Sequence, residues 1–128
     1  MAIIKEDYVS FETAKLLKEK WFKFIENKDE LSEAYIHAYT KEGKEVWGCY
    51  SSDYYPCITM NMAMKWLREV HHTYIDLSPT YSEVEKTIHF IWQIFDSNYD
   101  GVGDCEIFYD KYETACEEAI KYCLENLI

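Results

Sequence analysis

At 128 residues, with 48% hydrophobic and 17% aromatic residues and only four Gly and two Pro, the chain carries enough apolar material for a core, which excludes disorder and leads us to expect one domain over residues 1–128. The net charge of −11 is lopsided: residues 1–68 hold ten Lys or Arg against eleven Asp or Glu, and residues 69–128 hold three against thirteen. With no basic run, the chain lacks the footprint of a nucleic-acid-binding protein, and its acidic second half suits solubility or a basic partner instead.

The first predicted element is a helix over residues 10–22. Ser10 is a good N-cap, and Phe11, Ala14, Leu17 and Trp21 recur at helical spacing. Residues 26–32 are polar and read as a loop. Residues 34–40 and 45–50 are rich in strand formers, and Lys41-Glu42-Gly43-Lys44 between them reads as a hairpin turn. Residues 51–56 form a connection carrying Tyr54 and Tyr55. A second helix follows over residues 59–71, with Thr59 as N-cap and Ala63, Trp66, Leu67 and Val70 as its apolar stripe.

A short strand is expected over residues 73–77, ended by Ser78-Pro79. Thr87–Phe95 fits a strand, with Ile88, Phe90, Trp92 and Ile94 on one face, but it also fits a helix, with Val84, Ile88, Ile91 and Phe95 aligned. The β-branched and aromatic content favours the strand. A turn over residues 98–103 then leads to a hairpin partner over residues 105–109. Asp110 with Glu113 makes a capping-box pattern for a last helix whose apolar face is Tyr112, Ala115, Cys116, Ala119, Ile120, Cys123, Leu124 and Leu127. The order α-β-β-α-β-β-β-α describes an α+β fold, an antiparallel sheet with amphipathic helices packed on one face.

No run of about 18 apolar residues predicts a membrane span, and acids stand where a signal peptide needs an apolar run. Five cysteines, an odd number with no CxxC pair, read as reduced thiols of a cytoplasmic protein. Cys116 and Cys123 belong to the last helix's apolar face. Cys49 and Cys57 flank the Tyr54-Tyr55 loop.

Among motifs, Asp96-Ser97-Asn98-Tyr99-Asp100-Gly101 matches the opening of a calcium loop, where alternating oxygens wrap a hard cation and Gly permits the bend. The twelfth position should be a bidentate Glu and is Ile107. A weak calcium site would therefore draw on Asp96, Asn98, Asp100, Asp104 and Glu106, and the competing reading is a plain Asx-rich hairpin turn. His37 and His89 fall on strand candidates with no carboxylate or Cys at ligand spacing. His71-His72 closes the second helix. No phosphate loop, nucleophile elbow or metalloprotease motif is present, so a catalytic activity and a cofactor are not expected. Trp47, Tyr50, Tyr54 and Tyr55 form a candidate aromatic binding face, the alternative being burial under the second helix.

Residues 9–20 (VSFETAKLLKEK), 62–71 (MAMKWLREVH) and 112–128 (YETACEEAIKYCLENLI) resemble segments of a family of small uncharacterised proteins of gut anaerobic bacteria and of their prophages and mobile elements. The resemblance covers the three helices and carries no catalytic residue. It implies a bacterial or phage cytoplasmic setting and favours the strand for Thr87–Phe95. The αβββα order of the second half is also that of a double-stranded-RNA-binding domain, an activity its charge opposes. The leading expectation is a non-enzymatic module that binds a protein partner or itself, and neither nucleic acid nor a membrane. A calcium-binding protein and an acidic decoy inhibitor of a nucleic-acid-binding protein are the alternatives.

Overall fold

The computed structural model describes residues 5–20, 22 and 35–128. Trp21, Ala34 and the loop expected over residues 26–32 lie outside them. The class is α+β, as expected, but the strands form two three-stranded antiparallel sheets rather than one. The contacts gather into two compact units, Met1–Thr59 and Met60–Ile128.

In the first unit, α1 (Phe11–Glu19) starts where the sequence places it, because Ser10 Oγ accepts the amide of Thr13 at 3.2 Å. Its buried side is Thr13, Ala14 and Leu17. β1 (Tyr35–Tyr39) and β2 (Glu45–Cys49) pair across the expected turn, which Gly43 closes at φ +83°. Thr40 and Lys44 fix its mouth, the Thr40 amide donating to the Lys44 carbonyl at 2.9 Å. A two-residue strand, β3 (Tyr55–Pro56), pairs with the other edge of β1, so β1 is the central strand. Within the stretch read as a connection, it was too short to show a period. Val9, Ala14, Leu17, Ala38, Tyr39 and Cys57 are buried.

In the second unit, α2 (Met60–His71) buries Ala63 and Leu67 but leaves Val70 exposed, since the helix ends one residue later and His72 turns the chain at φ +52°. β4 (Tyr74–Ser82) runs through Pro79 rather than stopping before it. This is possible because β4 is an edge strand. Phe90 exchanges both backbone hydrogen bonds with Tyr109, so its partner Pro79 turns its nitrogen away from β5, where no N–H is needed.

β5 (Thr87–Phe95) is a strand with the expected bounds. Phe90, Trp92 and Ile94 face α3 (Tyr112–Tyr122): Trp92 meets Tyr122 and Phe90 meets Tyr112, with ring centroids 5.2 and 5.8 Å apart. β6 (Gly101–Asp104) lies four residues earlier than its expected position, because Asp96 rather than Asn98 begins the turn. Residues 105–109 form no named strand, though the Phe90–Tyr109 bridge and the Cys105–Trp92 backbone bond still tie them to β5. α3 starts at Lys111 without a side-chain cap, so the expected Asp110–Glu113 box does not form. Its last turn widens into a π-helical one, Cys123–Leu127, and Ala115, Cys116, Ala119, Ile120, Cys123 and Leu124 are buried as expected. Among the described residues, no helix is long and apolar enough to cross a membrane.

Candidate functional site

The expected aromatic face is divided. Trp47 is 59% exposed on β2, whereas Tyr50, Tyr54 and Tyr55 are half-buried. Tyr55 packs edge-on against Phe11 of α1 at 5.4 Å. Lys18 holds the loop in place. Its ammonium donates to the carbonyls of Ser52 at 2.6 Å and Tyr54 at 2.9 Å, and sits 4.6 Å from the centre of the Tyr55 ring. Burial lowers the Lys18 pKa, against the opposing pull of the Asp53 charge.

Trp47 instead stacks on His37, its partner across β1 and β2, with centroids 4.3 Å apart and planes 2° from parallel. The edge of Tyr8 closes on the same imidazole at 4.7 Å. His37 Nε2 lies 3.5 Å from Glu45 Oε2. The Cys57 sulfur completes a group whose ligand atoms all lie within 4.8 Å of one another. Cys57 is 2% exposed, and that burial pushes its thiol up to about 11.

A second such group is Glu85, His89 and Asp110. Asp110, taken from the sequence as a helix cap, lies 3.9 Å from His89 Nε2, and Glu85 lies at 2.7 Å. The Glu85 approach is short but poorly aligned for a hydrogen bond, and it becomes an ion pair when the imidazole is protonated. Phe108 meets the His89 ring edge-on at 6.2 Å. Large apolar side chains stand in water around this end of the sheet. Tyr81 and Ile88 are paired across β4 and β5, Val84 is in the connecting turn, and Ile107, Phe108 and Tyr112 lead into α3.

The expected calcium residues occupy a tight hairpin turn. Asp96 Oδ1 accepts the amides of Asn98 at 2.9 Å and Asp100 at 3.1 Å, and Tyr99 takes φ +63°. Asp104 ends β6 and Glu106 follows it. Among the described residues, neither group with metal-ligand geometry includes Asp96, Asp100, Asp104 or Glu106. Beside the turn, Tyr74, Ile75, Asp76, Phe95, Asp96, Ser97 and Tyr99 line an open cavity of about 470 Å³, with Tyr99 stacked on Phe95 at 4.7 Å.

Sequence reasoning missed both histidine groups. Glu85 and His89 are four residues apart and were legible as a local pair, whereas Asp110, and the partners of His37, are brought in by the strand register. No family model, curated protein or solved structure matches the chain.

Proposed function

We propose that the protein is a protein-interaction module whose binding surface is the β4–β5 hairpin end of the second unit, and that its partner presents an apolar centre ringed by basic residues. The observation that carries this reading is the set of apolar side chains left in water there, with Val84 94% exposed and Tyr81, Ile88 and Phe108 more than half exposed. Single exposed hydrophobes are ordinary, whereas neighbouring ones are a liability unless something covers them. Within its own unit, α3 begins against Phe90, so the Tyr81–Ile88 pair projects past the start of the helix.

The rim is acidic. Glu83, Glu85, Glu106, Asp110 and Glu113 are exposed, and residues 60–128 hold five Lys or Arg against thirteen Asp or Glu, a net of −8. Such a rim steers a basic partner and repels a second copy of the same face. We place this module in the reducing cytoplasm of a bacterium, encoded by the bacterium or by its phage. That placement rests on the resemblance of the three helices and on five cysteines that form no disulfide.

The test is a photo-crosslinking side chain introduced at position 88, with position 118 on α3 as control, in cells of the source organism. The expected result is one discrete adduct from position 88 that weakens as salt rises and disappears when Tyr81 and Phe108 are both changed to Ser. A homodimeric adduct, equal labelling from both positions, or none would overturn the reading.

A further inference from the structure

We propose that His37, Glu45 and Cys57 form a binding site for a divalent transition ion of the zinc type. The three residues come from neighbouring strands. His37 stands on the central strand β1, Glu45 opens β2 on one side, and Cys57 follows β3 on the other. Continuing the Tyr39–Tyr55 and Ala38–Pro56 rungs by one step sets Cys57 beside His37.

The spacing of His37 and Glu45 fits one ion, and the Cys57 sulfur lies within 4.8 Å of both. Zinc takes imidazole nitrogen and carboxylate oxygen at about 2.0–2.2 Å and thiolate sulfur at about 2.3 Å, so tetrahedral ligands lie roughly 3.3–3.7 Å from one another. The 3.5 Å between His37 Nε2 and Glu45 Oε2 falls in that range, and it is longer than the roughly 2.7–2.9 Å of a charge-assisted hydrogen bond.

The imidazole supplies an independent argument. The His37 side chain is only 9% exposed, yet neither ring nitrogen has a hydrogen-bond partner. Buried polar atoms are rarely left so, and an ion at Nε2 would satisfy one of them. The ring is also held for the task, its face on Trp47 and Tyr8 edge-on against it, which fixes the plane of the lone pair before any ion arrives.

The donor set selects the metal. One nitrogen, one sulfur and one oxygen favour zinc over magnesium or calcium, which prefer oxygen alone. The Glu45 carboxylate, 58% exposed, leaves an entry path and a fourth position for water. On binding, Cys57 forms its bond to the ion through the thiolate, and the thiol proton passes to solvent. The Glu85–His89–Asp110 group is less suited to zinc, because it offers two carboxylate oxygens and no sulfur beside its imidazole.

The test titrates the full chain, purified without an affinity tag, with zinc in competition with a chromophoric chelator, and with cobalt to read thiolate ligation by its charge-transfer absorption. One equivalent should bind, with release of a proton and a thiolate–cobalt band. His37→Gln and Cys57→Ser should each lower the affinity at least tenfold, while His89→Gln leaves it unchanged. Because Cys57 is in the core, Glu45→Gln serves as a second variant. Its side chain is mostly in water, so the fold should persist while zinc affinity drops by about tenfold. No stoichiometric binding, no thiolate band, or an affinity that follows His89 instead of His37 and Glu45 would overturn the site.

Discussion

Gly103 sits in β6 at an ordinary backbone angle, so its own conformation does not require glycine. What requires it is the Tyr122 ring. A Cβ on residue 103 would lie 2.5 Å from Tyr122 Cε1, 3.1 Å from Cζ and 3.2 Å from Cδ1. The ring cannot simply swing aside, because its centroid is 5.2 Å from that of Trp92 in the core. Gly103→Ala should therefore incur an overpacking cost of about 1–3 kcal/mol. Replacing a strand glycine also returns about 0.5–1 kcal/mol of backbone entropy. The net destabilisation then lies between about 0 and 2.5 kcal/mol, at roughly 4–7 °C in melting temperature per kcal/mol depending on whether the whole chain or the second unit unfolds together.

Repeating the substitution in a Tyr122→Leu background removes the clash and keeps the entropy gain, so there Gly103→Ala should stabilise. Urea denaturation of the four proteins of this cycle reads the inversion directly. If Gly103→Ala destabilises equally in both backgrounds, the ring is not the reason for the glycine.

At the other glycine under constraint, Gly43→Ala should cost about 2–3 kcal/mol by denaturant melting, since φ is +83° and the new Cβ would come within 2.8 Å of Phe11 Cδ2. Asp96→Ala removes the acceptor of two turn amides and should cost about 1–2 kcal/mol, whereas Asp96→Asn keeps an acceptor and should cost less than half of that. Calcium should leave the wild-type melting temperature where it was, and an upward shift would show the turn opening to wrap an ion. Burial pushes the Cys57 thiol up to about 11 and the Cys123 thiol up to about 12, both from 9.0. Above pH 9 the unfolded chain gives up protons that the folded one keeps, so the stability these thiols contribute should be complete below that pH and decline between pH 9 and 12. The loss should reach several kcal/mol, since holding a proton one pH unit more tightly is worth about 1.4 kcal/mol. Unfolding free energies that stay level from pH 8 to 11, or a slope that Cys123→Ala does not reduce, would contradict this.

Local chemistry was legible in the sequence, and strand partnership was not. Ser10, the Lys41–Lys44 turn, the buried face of the last helix and the strand Thr87–Phe95 all follow from propensities within a few residues. Asp110 misled because a capping box and a carboxylate turned toward a cross-strand imidazole look alike in one dimension. Pro79 misled because a proline ends a central strand but not an edge strand, and edge status is a property of the sheet. Glu45 is eight positions after His37 and Cys57 is twenty, intervals that match no contiguous metal motif. The register of β1 with both neighbours brings the three together.

Pro79 also bears on how the protein behaves when crowded. The outer margin of β4 would be a template for another strand, but there the backbone nitrogen facing outward at residue 79 has no hydrogen to give. The opposite margin is β6, four residues long with two glycines, Gly101 and Gly103. Both margins of this sheet are thus poor seeds for strand addition, so the exposure of Val84, Ile88 and Phe108 does not invite growth into a cross-β fibre.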